Sequence, residues 1–138
     1  IAVFGGTNDF GHGDAKIGDF DSRNEYTFYG AMHCLCIRLL NKYPDAEIVF
    51  MTPLHRKKEN AEIKENGLPN EVPLSGYVEI IKEVAGYYGL PVLDLFAGSG
   101  LQPEADIIKQ EYMPDGLHPS DNGHERLADY IISKLKAM

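Results

Sequence analysis

Three short apolar runs, each followed by a stretch of helical periodicity, constrain this chain more than any other feature. Ile1 to Gly6 (IAVFGG), Glu47 to Thr52 (EIVFMT) and Pro91 to Phe96 (PVLDLF) are apolar segments closed by turn residues, the pattern of buried strands. After the first, Phe28, Met32, Leu35, Cys36, Leu39 and Leu40 recur at three- and four-residue steps, which gives a helix one apolar face. Ser22 with Glu25 three residues on reads as a capping box, so this helix is expected to start at about Arg23 and to end at Tyr43-Pro44-Asp45. A second helix is expected over 75–88, apolar on Val78, Ile81, Ala85 and Tyr88 and stopped by Gly89. Ser120 caps a last helix whose core face is Leu127, Ile131 and Leu135. Strand and helix alternating in this way fold as parallel βαβ units, an α/β sheet. The 138 residues form a single domain, 1–138.

In an open α/β sheet, ligands sit outside the carboxyl ends of the strands. That directs attention to Gly5–Phe10, Pro53–Arg56 and Phe96–Gly100. The long charged stretch from Pro53 to Glu71, with one turn of helix expected over Ala61 to Glu65, reads as a lid, a binding loop or a mobile segment. Thirteen basic against 21 acidic side chains leave a net charge of −8, which opposes nucleic-acid binding through phosphate attraction. No apolar run approaches the ~18 to 20 residues of a membrane span. Hydrophobic content of 43% and charged content of 25% are those of a globular chain. Cys34 and Cys36 are too few and too close for a disulfide framework. As reduced residues they tilt the otherwise open compartment toward the cytoplasm. Asp14, Asp19 and Asp21 do not follow an EF-hand spacing, and no metal or other cofactor is expected. The loop after the first run lacks the Gly-x-Gly-x-x-Gly spacing of a nucleotide site, and no P-loop lysine is present.

Two motifs carry chemistry. In Asp115-Gly116-Leu117-His118-Pro119 an Asp stands three residues before a His, in a punctuated turn ahead of a helix. Its carboxylate can fold back onto the imidazole, fix the tautomer that leaves Nε2 as a base, and stabilise the imidazolium. The same pattern also suits a loop His held by a capping Asp without chemistry. In Gly5-Gly6-Thr7-Asn8-Asp9 the glycines allow a tight turn and close approach to a ligand. Asn8 offers an amide donor to a developing oxyanion, or satisfies local backbone groups only.

Taken together, Gly6-x-Asn8-Asp9 after a strand and Asp115-x-x-His118-Pro119 before the final helix resemble the SGNH (GDSL-type) hydrolase family. The resemblance runs the length of the chain, and the Tyr-rich helix and the Thr52-Pro53 strand end fit it. It implies a three-layer, flavodoxin-like α/β fold with a parallel sheet, and hydrolysis of esters or acyl groups by a Ser-His-Asp system. In the family the residue matching Asn8 donates to the oxyanion. The residue matching His118 is base and then acid, and the one matching Asp115 orients it. Gly6, His55, Arg56 and His12 are the candidates for substrate contact. Arg56 offers a planar donor fork to a polar or anionic group, while Phe10 to Asp14, with His12, forms a wall of the site mouth, a flap or a structural loop.

Two of the family's four motif blocks are absent. The Gly-Asp-Ser nucleophile block and the second oxyanion glycine precede the Gly-x-Asn-Asp block in the family. No internal serine substitutes. Ser99 lacks glycines two residues away on each side, Ser120 and Ser22 are read as caps, and Ser75 and Ser133 belong to helices. The family's first two strands are therefore expected to lie upstream, in ~50 to 80 residues given usual βαβ lengths. Residues 1–138 alone are expected to be inactive. The expected function is that of an ester or acyl hydrolase of the esterase, lipase-like or carbohydrate-deacetylase type, acting on a small-molecule or carbohydrate ester; homo-oligomerisation is left open. The alternative is a non-catalytic or degenerate SGNH-like binding module that recognises a glycan or protein partner.

Overall fold

The computed structural model describes residues 1–138, and the three apolar runs form its strands: β1 (Ala2–Phe4), β2 (Val49–Met51) and β3 (Val92–Leu93). They make one parallel sheet in the order β1-β2-β3. Ala2 lies opposite Val49, Phe4 opposite Met51, and Met51 opposite Leu93. Because strand side chains alternate in direction, neighbours on β2 serve different cores. Phe50 packs with α2 (Phe28–Lys42) and α3 (Leu74–Tyr87), among Met32, Tyr77 and Ile81. Met51 packs instead with Leu93, Met113 and Leu127, under α5 (Asp106–Tyr112) and α6 (Asp121–Ala137). The result is the expected three-layer α/β arrangement, helices on both faces of a parallel sheet. No helix is long and apolar enough to cross a membrane.

Several elements differ from the sequence reading. The first long helix starts at Phe28, not near Arg23, and its cap is Thr27, whose hydroxyl accepts from the Gly30 amide at 3.0 Å. Ser22 belongs to a tighter turn in which the Asp19 carboxylate accepts from the Asp21 and Ser22 amides, so the capping-box spacing is used by an Asx turn. The third run stops early because Asp94 caps a short helix, α4 (Leu95–Gly98), accepting from the Ala97 amide at 3.0 Å. Helix α5 escaped the sequence reading; none of its residues is buried, so it carries little of the apolar periodicity that betrays a packed helix. The expected helical turn over 61–65 is not formed. That stretch makes a bridge between Ile63 and Pro69 instead.

Candidate active site

The chain leaves β1 through Gly6, at φ 113°, a left-handed conformation open to glycine and strained for other residues. Space adds to the requirement. A Cβ at Gly6 would stand 3.2 Å from Pro53 Cγ and 3.3 Å from Ile81 Cδ1. From this turn the backbone enters a helix, α1 (Thr7–His12), which the sequence reading of a turn at Gly5–Asp9 and a wall, flap or loop over Phe10–Asp14 did not include. Phe10 and Gly11 are buried and drive its docking. Asn8, on the first turn, is exposed at the carboxyl edge of the sheet.

The Asp115–His118 turn is built almost entirely from its own atoms. Asp115 Oδ1 accepts from the amides of Leu117 at 2.8 Å and His118 at 2.7 Å, and Oδ2 stands 2.6 Å from His118 Nδ1. These bonds require the backbone to reverse at Gly116, at φ 77°. The His118 side-chain contact and the His118 amide, with the Leu117 amide adding to them, hold the Asp115 carboxyl down to about 2 against the opposing effect of burial. At neutral pH the carboxylate is therefore ionised and accepts only, so the contact is an Nδ1–H donating to it, and in the neutral ring that tautomer leaves the lone pair on Nε2. Ser120 follows as the α6 cap, accepting from Gly123 N at 3.2 Å while its hydroxyl donates to Glu111 O. That locks the turn to the helix after it.

One cleft of about 630 Å³ is lined by Gly6, Asn8, Arg56, Leu117, His118 and Leu127. The two sequence motifs, more than a hundred residues apart, thus meet at one opening. His124 and Leu127 line it from α6. Their three-residue spacing on a capped helix was the available signal, and Leu127 had been assigned to the core. Both terminal nitrogens of Arg56 are already engaged, while its buried Nε has no partner. Its Nη1 donates to Thr7 O and Thr7 Oγ1, both at 3.1 Å, and its Nη2 pairs with Glu65 at 3.3 Å. His55 lies off the cleft lining, its ring 3.7 Å from that of Phe96 and its Nδ1 2.9 Å from Glu59. His12, at the far end of α1, is exposed and also off the lining. The Pro53–Glu71 stretch is tied to the body at Leu74, whose amide donates to Glu59 O, and at Lys57, whose amide donates to Gly116 O, both bonds close to 2.9 Å.

The family model of the GDSL-like lipase/acylhydrolases matches residues 1–126. The chain belongs to that family. Among solved structures, one 37% identical superposes with a TM-score of 0.88 over 99% of this chain and 64% of its own. A protein from Lactobacillus plantarum, 29% identical, gives 0.86 over 99% and 65%. A curated relative, an acetylxylan esterase from Xylanibacter ruminicola, is 28% identical over 90 residues, 65% of this chain and 16% of that enzyme. This GDSL-like chain therefore spans just under two thirds of those structural neighbours and a small part of the curated one.

Proposed function

We propose that the whole protein is a serine-dependent carboxylic ester hydrolase that removes small acyl groups, acetyl foremost, from a carbohydrate-borne ester. The observation that carries this reading is the 2.6 Å contact from Asp115 to His118 Nδ1 at the rim of the cleft that also exposes Asn8. The acetylxylan esterase relative supports the acetyl and carbohydrate part. In the reaction a serine from outside residues 1–138 attacks the ester carbonyl, and His118 Nε2 takes its proton. The carbonyl oxygen gains negative charge facing the Asn8 amide. His118 then protonates the leaving alcohol, and water repeats the sequence on the acyl-enzyme. Asp115 stays ionised throughout and stabilises the imidazolium.

The test is turnover of p-nitrophenyl acetate and of acetylated xylan by the full-length protein. His118→Ala should lower kcat by about 10⁴-fold or more while the fold, followed by circular dichroism, is kept. Turnover unchanged by that substitution would remove His118 from the mechanism. A full-length protein that binds acetylated xylan without hydrolysing it would support the binding-module alternative.

A further inference from the structure

Helix α1 has six residues, too few to persist in water unaided, and its last carbonyls have no helical partners of their own. An account of every carbonyl in it shows what holds it. Asn8 O accepts from Gly13 N at 2.9 Å, within the same segment. All the others are met from residues 56–66. Thr7 O accepts from Arg56 Nη1 at 3.1 Å. Asp9 O and Phe10 O both accept from Lys64 Nζ, the second at 2.9 Å. Gly11 O accepts from Glu65 N at 2.8 Å, and His12 O from Asn66 Nδ2 at 2.7 Å.

The two cations in this set are both buried, each 7% exposed. Arg56 lies 5.5 Å over the Phe10 ring and Lys64 5.6 Å over that of Tyr77. Gly11 leaves the guanidinium its place, since a Cβ there would stand 2.8 Å from Nη1. Burial lowers the Lys64 ammonium pKa, while Asp9 and Glu71 work against that. Removing a cation from water is costly unless acceptors replace the lost hydration; for Lys64 they are carbonyls in the last turn of α1, its negative end, and for Arg56 they are Thr7 O, Thr7 Oγ1 and the Glu65 carboxylate. The arrangement grips the helix on both sides of Asn8.

We propose that Arg56 and Lys64 are positioning residues for the oxyanion donor: they fix α1 at the depth at which the Asn8 amide meets the reacting oxygen. The inference rests on the role given to Asn8 under the proposed function. It also makes the long charged segment a fixed socket, not a lid. Neither cation need touch substrate. A donor displaced by about 1 Å loses a contact made in the transition state and little of the ground-state binding.

The experiment is a double-mutant cycle in the full-length protein on p-nitrophenyl acetate. Lys64→Met should lower kcat about 10- to 100-fold with KM changed less than about 3-fold. In an Asn8→Ala background the same substitution should cost less than about 2-fold, because the amide it positions is gone. If Asn8→Ala lowers kcat and Lys64→Met adds its full loss on top, the positioning role is overturned while the reading of Asn8 stands. A Lys64→Met variant with unchanged kcat, or with only KM raised, overturns it as well. If Asn8→Ala itself leaves kcat unchanged, the reading of Asn8 fails and takes this inference with it. Should Lys64→Met not fold, Arg56→Lys, which keeps the charge but not the paired donors to Thr7, is read in the same cycle with the same criteria.

Discussion

The cleft has two sides, and they are made in opposite ways. The Asp115–His118 turn closes on itself: each of its defining bonds spans two or three residues, and the His118 and Asp115 side chains remain 75% and 54% exposed. The Asn8 side depends on partners 49 to 55 residues away, two of them buried cations. A locally closed turn can form before the rest of the chain folds and tolerates changes elsewhere. A helix whose carbonyls are completed from a distant segment is correct only when that segment is. The Asp115–His118 turn is therefore the robust half of the cleft, and the Asn8 helix is the half exposed to mutation at a distance.

The largest expected effect falls on the self-closed side. Asp115→Asn should reduce kcat by about 10³- to 10⁴-fold, since an amide at that position no longer fixes the tautomer or stabilises the imidazolium. Hydrogen exchange of the α1 amides should be unchanged; loss of their protection would show that the two sides are not separately built. Asn8→Ala should cost less, about 10²- to 10³-fold in kcat with KM nearly constant. An effect confined to KM would place Asn8 in ground-state binding. Ser120→Ala removes the α6 cap and should lower unfolding free energy by about 1 kcal/mol in a urea titration, with Asn8-side exchange unaffected.

The smallest effect is a titration. Asp115 falls from the ordinary 3.8 to about 2, a depressed carboxylate. Its contribution to stability is therefore complete above the unfolded value and is lost as pH falls through about 2. Carbon NMR of the side-chain carboxyl should show this midpoint, and Arg56→Met should not move it. A midpoint at 3.8 would mean that the contact to His118 does not persist in solution.

The same contrast explains what could be read from the residues alone. Asp-x-x-His before a Ser-capped helix carries its geometry within a few positions, and the turn has the bonding that pattern implies. Strand positions were equally legible, because alternation between two cores leaves apolar runs at Phe50 and Met51. The socket around α1 was not legible. Lys64 sits in a run of charged residues that looks solvated, and only the tertiary fold supplies the Asp9 and Phe10 carbonyls that draw it inside. Arg56 was seen as a candidate for substrate contact, but its proximity to Thr7 depends on two strands lying side by side. Ser22 shows the reverse hazard. A correct local spacing was taken up by a competing turn at Asp19.

Arg56 and Lys57 are consecutive, yet they face opposite banks of the cleft: the guanidinium of the first grips Thr7, and the amide of the second donates to Gly116 O at 2.8 Å. Adjacent residues thus tie the segment to both the Asn8 helix and the Asp115–His118 turn. Lys58, just beyond it, holds a left-handed backbone at φ 61°, so the chain turns away at once. Insertions around 67–69, at the exposed tip of the segment, would lengthen a loop and leave both ties intact. A one-residue insertion between 56 and 57 would come between them.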